Sequence, residues 1–212
     1  MRLYLASTSP ARLATLRAAG IEPLTHSPGV DEEALVARVE AEQGPLAAPD
    51  MVQLLAQAKA EAIVGAQVAG GPIDGLILGG DSAFLFDGQI FGKPHEPAVA
   101  RERWLRQRGR AGELWSGHWL IDHRGGRVRG AVGRADMATV TFAEPDDAEV
   151  DAYIATGEPL SVAGAFTIDS LGGPFIRRVD GDPSTVVGLS LSTLRELVRE
   201  LGVDWPSLWN RR

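Results

Sequence analysis

Asp81 carries the sharpest chemical argument in the chain. It follows the apolar run Leu76-Ile77-Leu78 through two glycines, Gly79-Gly80, where backbone bends easily and a ligand can come close. A carboxylate at the end of a buried strand is well placed to take a proton. Asp87-Gly88 reads as the two-residue loop of a type I′ hairpin, which pairs Phe86 with Gln89 and Ser82 with Lys93. Lys93 then falls one residue from Asp81. A regular pleat points the two to opposite faces, but Gly92 and Pro94 make the end of that ladder irregular. The pair reads equally as a structural ion pair at a hairpin base or as part of a site.

Ser7-Thr8-Ser9-Pro10 offers a second kind of chemistry. Free backbone N–H groups and hydroxyls at a helix N-terminus attract anions, and Arg12, just inside that helix, would add a charge-assisted clamp. The same residues also read as a plain N-cap with a solvated arginine. Lys59 falls on the apolar stripe of Val52, Leu55, Ala56, Ile63 and Ala66. A lysine there either snorkels out to water or meets a negative charge, in the second case by reaching into a ligand cleft.

Asp31, Glu32 and Glu33 form one group of hard oxygen donors, and Asp180 and Asp182 form another. Without cysteine they point to Mg²⁺ or Mn²⁺ rather than to structural zinc. Each also reads as a solvated acid at a loop or helix start. His26, His95, His118 and His123 are scattered without ligand spacing, which argues against a histidine metal site or a catalytic triad.

These residues need elements to hold them. Leu3-Tyr4-Leu5 reads as a short buried strand, with Ser9 as N-cap, Pro10 at the first helical position and Gly20 past the last turn. Residues 31 to 42 carry five carboxylates among alanines and valines, and Gln43-Gly44-Pro45 ends that run in a loop. A helix is expected from Asp50 to about Val68. Leu76 to Leu78 reads as a strand broken at Gly79-Gly80 and resumed from Ala83 to Phe86. Pro97 opens an arginine-rich helix to about Gln107. A β region follows from Trp115 to Phe142, interrupted at Arg124-Gly125-Gly126, then a helix between Pro145 and Gly157 and a last one from Ser192 to Leu201.

With 44% hydrophobic and 23% charged residues, the 212-residue chain has material for a sizeable core and no signature of disorder. Its 21 basic against 28 acidic residues leave a net charge of −7, which disfavours nucleic acid and anionic membrane as partners. Arg101, Arg103, Arg106, Arg108 and Arg110 alternate around a helix end and read as a solvated face. The absence of cysteine excludes disulfides and a thiol nucleophile, and fits a reducing compartment. No secretory core develops after Met1-Arg2, and no window approaches ~18 apolar residues. A cytoplasmic protein is expected.

Eight short strings, in order over most of the chain, resemble the Maf family of nucleotide pyrophosphatases. They are Leu5-Ala6-Ser7-Thr8-Ser9-Pro10 with Arg12, Val30-Asp31-Glu32, Ala58-Lys59-Ala60, Gly79-Gly80-Asp81-Ser82, Gly92-Lys93-Pro94, Gly157-Glu158-Pro159, Ala163-Gly164-Ala165-Phe166 and Val187-Gly188-Leu189. The resemblance implies one α/β domain over residues 1–212, built on a twisted mixed β-sheet with flanking helices and two lobes around a central cleft, commonly a homodimer. It implies divalent-metal-dependent hydrolysis of a nucleoside triphosphate between its α- and β-phosphates. Carried over residue by residue, Asp81 is the proton acceptor, Glu32 and Asp81 are metal ligands, and Ser7, Ser9, Arg12, Lys59 and Lys93 hold the substrate. A non-catalytic role in septum formation and cell division is the rival reading, and the joint presence of Asp81, Lys59 and Lys93 favours catalysis.

The sequence departs from the thymidine/uridine triphosphate branch. Ala11 stands where many members have a second arginine. Val162 and Asp169 stand where that branch has Lys and Gln. The patterns at Ala163 to Phe166 and Gly181-Asp182-Pro183 are closer to the branch acting on methylated guanosine triphosphate. An ionised Asp169 can only accept hydrogen bonds, so facing a base it would favour a donor edge such as that of guanine.

Overall fold

The computed structural model describes residues 1–210. The first elements are β1 (Leu3–Ala6), α1 (Pro10–Ala18), β2 (Leu24–His26), α2 (Glu32–Gln43) and α3 (Ala48–Ala62). The two-residue strands β3 (Gln67–Val68) and β4 (Gly71–Pro72) form a small ribbon, followed by β5 (Gly75–Phe86), β6 (Gln89–Phe91) and α4 (Pro97–Gln107). Then come β7 (Ala111–His123), β8 (Gly130–Phe142), α5 (Asp147–Ala155), β9 (Ile176–Asp180), α6 (Pro183–Val187) and α7 (Leu191–Glu200). Among the described residues no helix is long and apolar enough to cross a membrane.

Several boundaries follow from local chemistry visible in the sequence. Ser9 caps α1, accepting from Arg12 N, with Pro10 in the first turn. Asp87 and Gly88 have φ of 50° and 73°, as a type I′ turn requires, and Phe86 pairs with Gln89. Two expectations need correction. The helix placed at residues 50 to 68 begins at Ala48, because Pro49 is tolerated in a first turn. It ends at Ala62, where Gly65 at φ 81° turns the chain toward β3. The strand expected to break at Gly79-Gly80 runs unbroken from Gly75 to Phe86, because its glycines serve close packing rather than a bend. A Cβ on Gly79 would lie 2.1 Å from Ala56 O, and one on Gly117 of β7 would lie 2.2 Å from Val52 O. α3 therefore crosses both strands backbone to backbone.

The main sheet has seven strands in the order β2-β1-β5-β7-β8-β9, with β6 also on β5. β1 is parallel to β2 and β5, and the remaining pairs are antiparallel. The sheet is mixed, as expected. Alternate residues of β5 face two cores. Leu76 and Leu78 pack with Leu16 of α1 and Leu194, Leu197 and Val198 of α7, whereas Ile77 packs with Ala60 and Ile63 beside α3. A third core gathers Phe84, Phe86, Trp104, Phe142, Tyr153 and Phe166 at the far end of β5. Asp81 lies between these two ends.

Candidate active site

One edge of β5 has an unpaired interval, and two strand ends converge on it. One edge pairs with β7 from Gly75 to Leu85. On the other edge, β1 covers Leu76 to Gly79 and β6 covers Phe84 to Phe86, leaving residues 80–83 open. β1 runs parallel to β5 and β6 runs antiparallel, so both carboxyl ends are directed into the gap. Ser7 follows β1, and Gly92-Lys93 follows β6. Carboxyl ends of strands beside such an opening are where α/β sheets place ligands.

Asp81 and Gly79 share one face of β5, the face crossed by α3. Lys59, on the α3 face that packs there, places its Nζ 2.6 Å from Asp81 Oδ1 and 2.8 Å from Glu32 Oε1. Asp31 caps α2, accepting from Ala34 N, which puts Glu32 in the first turn. The lysine and aspartate side chains are nearly buried, while that of Glu32 is 47% exposed. The triad is therefore open to solvent on the Glu32 side. Burial raises the Asp81 pKa from its ordinary value, opposed by the charges of Lys59 and Arg12, while Glu32 adds to the rise. The lysine does not snorkel; it is held between two carboxylates.

Arg12 approaches β5 from the opposite face. A Cβ on Gly80 would come within 3.2 Å of Arg12 Nε, so glycine there makes room for the guanidinium. Its Nε donates to Gly188 O at 2.8 Å, Nη2 to Ser82 Oγ at 2.9 Å and Nη1 to Ser7 Oγ at 3.4 Å. Burial lowers the Arg12 pKa, with Asp81 and Glu32 opposing. Gly188, at φ 108°, ends α6 and turns its carbonyl toward Arg12.

That turn is braced by polar partners drawn from segments distant in sequence. Asp182, a metal donor or a solvated acid by sequence alone, caps α6 and accepts from the N–H and hydroxyl groups of both Ser184 and Ser192. Burial pushes its pKa up, but these bonds together outweigh burial and hold it down at about 2. His118 is fully buried. Its Nε2 accepts from Ser190 N at 2.9 Å, so its Nδ1 carries the proton donated to Arg134 O at 3.1 Å. Desolvation lowers its pKa to about 4. Ser116 joins the set, 2.9 Å from Ser82 and donating to Thr185 O. Ser and Thr are too frequent for these partners to have been found without the three-dimensional register.

The other expected residues lie outside this cluster. Lys93 and Asp169 are exposed, and neither makes a hydrogen bond or ion pair among the described residues. The expected pairing of Ser82 with Lys93 does not form, because β6 ends at Phe91, opposite Phe84, two residues short of Ser82. Asp180 is ion-paired with Arg178. Ser9 Oγ is engaged by Arg12 N. A pocket of about 280 Å³ opens beside Ser7, Thr8 and Ser9 and is bounded by Leu13, Thr25 and His26.

The sequence pattern described as "Maf-like protein" matches residues 2–201. The chain belongs to the Maf-like family. It is 70% identical to a "Nucleoside triphosphate pyrophosphatase" of Leifsonia xyli subsp. xyli, over 100% of this chain and 98% of that protein. Proteins of the same name from Saccharopolyspora erythraea and Corynebacterium diphtheriae are 50% and 46% identical. Each match covers 99% of this chain, and 97% and 99% of those proteins respectively.

For this Maf-like chain the donors suited to a divalent cation are carboxylate oxygens. Lys59 engages Oδ1 of Asp81 and Oε1 of Glu32. Their second oxygens take no hydrogen bond among the described residues. No group of three or more acidic, histidine or cysteine side chains positioned for a metal occurs among the described residues. Two carboxylates fit Mg²⁺ chemistry, which takes one or two protein ligands and completes its shell with water and substrate phosphates.

Proposed function

We propose that this chain hydrolyses a nucleoside 5′-triphosphate to the monophosphate and pyrophosphate, with the reaction centred on Asp81. The observation that carries this reading is the Glu32–Lys59–Asp81 triad beside the open interval of β5, in a family whose relatives bear that name.

Water attacks the α-phosphorus, and the bond from that phosphorus to the α–β bridging oxygen breaks. Pyrophosphate leaves, and Asp81 takes the water proton. Lys59, already at the carboxylates, and Lys93, on the loop after β6, offset charge on the triphosphate. Ser7 and Ser9 offer the helix N-terminus to phosphate oxygens. Arg12 fixes the Ser7 hydroxyl and adds positive charge from the opposite face. A divalent cation, Mg²⁺ or Mn²⁺, held by Glu32 and Asp81, would polarise the phosphoryl oxygens.

Asp169, exposed and unengaged, is available to a base edge, which supports a preference for guanine or a modified guanine. Arg101 and Arg108 pair with Asp147 or Asp151, and Arg110 pairs with Asp87. That supports a solvated helix face rather than a nucleic-acid surface. We read the chain as one domain over residues 1–212, cytoplasmic and homodimeric. A pyrophosphate-release screen over natural and methylated nucleotides, with metal removed and then Mg²⁺ or Mn²⁺ restored, tests the function. Release from at least one triphosphate, lost with the metal and recovered on restoring it, is expected. No release from any nucleotide overturns the reading.

A further inference from the structure

Glu158 lies outside the triad yet accepts more hydrogen bonds than Asp81 does. Its Oε1 accepts from Tyr153 Oη at 3.0 Å, from Gly172 N at 3.1 Å and from Thr167 Oγ1. Its Oε2 accepts from Ser170 Oγ at 2.7 Å and Leu171 N at 3.3 Å. Every neighbour donates, and four of the donors belong to the segment 167–172. One carboxylate thus gathers a loop that has no regular secondary structure before Gly173. The packing leaves little slack, since a Cβ on Gly172 would lie 2.6 Å from both Thr167 O and Tyr153 Oη.

The same short segment also holds the loop bearing Lys93. Glu158 begins the 3₁₀ turn Glu158–Ser161, and Leu160 O within that turn accepts from His95 N at 3.0 Å. His95 has φ 61°, an uncommon conformation for a residue other than glycine, and its hydrogen bond to Leu160 holds the chain there. On the other side, Gly164 packs on Phe84, where a Cβ would lie 2.7 Å from the ring. Phe84 is the residue at which β6 pairing resumes after the open interval of β5. The loops carrying Lys93 and Asp169 are therefore both anchored to residues 157–166, at the far border of the gap.

We propose that Glu158 is a positioning residue that holds the 167–172 loop beside the Lys93 loop and thereby sets the affinity for the triphosphate. The functional half rests on the pyrophosphatase reading; the anchoring half does not. The chemistry demands a carboxylate. In Glu158→Gln the new amide nitrogen faces a backbone N–H whichever way it turns, Gly172 N at one position and Leu171 N at the other. A hydroxyl can rotate to accept, but a backbone N–H cannot. The amide variant therefore has nearly the same shape and the wrong polarity. Ser170→Ala removes one donor and leaves the remaining bonds intact.

The test uses the full chain. Glu158→Gln, confirmed folded by circular dichroism, is expected to raise KM for the best triphosphate by ~10-fold with kcat within about threefold, the pattern of lost binding. Ser170→Ala should stay within about threefold in both. Independently of catalysis, limited chymotrypsin digestion followed by mass spectrometry should show faster cleavage after Leu171, which is 57% exposed, with cleavage after Trp209, 58% exposed, as the internal reference. A folded Glu158→Gln protein with wild-type KM overturns the proposal, as does an unchanged Leu171 cleavage rate. Equal falls in kcat and folded fraction with KM unchanged mean a merely structural residue, and also overturn it. A wild-type chain that releases no pyrophosphate overturns the functional reading instead, and the digestion still decides the anchoring.

Discussion

Lys59 and Arg12 reach β5 from opposite faces. Lys59 meets Asp81 on the side crossed by α3, whereas Arg12 lies over Gly80 and bonds Ser82 on the side of α1. One strand thus separates a cation whose neighbours are carboxylates from a cation whose neighbours are hydroxyls and a carbonyl. Lys59 is held by Asp81 and the half-exposed Glu32, whereas Arg12 spends its donors on Gly188 O, Ser82 and Ser7.

Asp81→Asn should fold normally and lose at least ~10² in kcat. Because burial raises the Asp81 pKa, the acid limb of the wild-type pH–rate profile should lie above the ordinary aspartate value of about 3.9. That limb should vanish in the variant. Wild-type turnover in Asp81→Asn would remove the residue from the mechanism.

Lys59→Met should raise KM for the triphosphate by ~10-fold, because one of its cationic partners is gone. Lys59 also holds the Asp81 pKa down, so the acid limb should move to higher pH in this variant. An unmoved limb and an unchanged KM would mean that the ion pair serves stability alone.

Gly79→Ala tests whether the crossing of α3 positions the lysine. The new Cβ cannot coexist with Ala56 O at 2.1 Å, so α3 must shift. We expect a loss of at least about 2 kcal/mol in denaturant unfolding, with activity reduced beyond the loss of folded protein. Full activity and stability would contradict the close approach.

His118 predicts acid sensitivity. The unfolded chain binds a proton on it near pH 6.5 and the folded chain only near about 4. Stability from this residue is therefore complete above pH 6.5 and declines as pH falls through that window, by about 3 kcal/mol in all. Asp182 and Glu158 fall from ordinary values of 3.8 and 4.5 to about 2 in the folded chain, so their losses lie mainly below pH 4.5. Unfolding measured across the window should be flatter for His118→Gln; an equal slope in both proteins would refute the assignment.

Competition among the four common triphosphates and 7-methylguanosine triphosphate at equal concentration should favour a guanine nucleotide, and Asp169→Gln should erode that preference. A clear preference for thymidine or uridine triphosphate would leave Asp169 without a role in base choice.

Short-range signals in the sequence determined what depends on neighbours along the chain: the Ser9 cap, the Asp87-Gly88 turn, the apolar stripe containing Lys59, and the residue strings that mark the family. Each rests on backbone conformations or periodicities spanning a few residues. The tertiary structure decided what depends on partners far apart in sequence. Gly79 and Gly80 read as a break in isolation. They became close-packing positions only once α3 and Arg12 lay against the two faces of β5. Asp182 read either as a metal donor or as a solvated acid, and it is neither: the serines of two later segments take up its oxygens. The open interval beside Asp81 exists because β1 and β6 stop where they do on one edge of β5. Strand pairing is a relation between segments, and no single segment encodes where its neighbour ends.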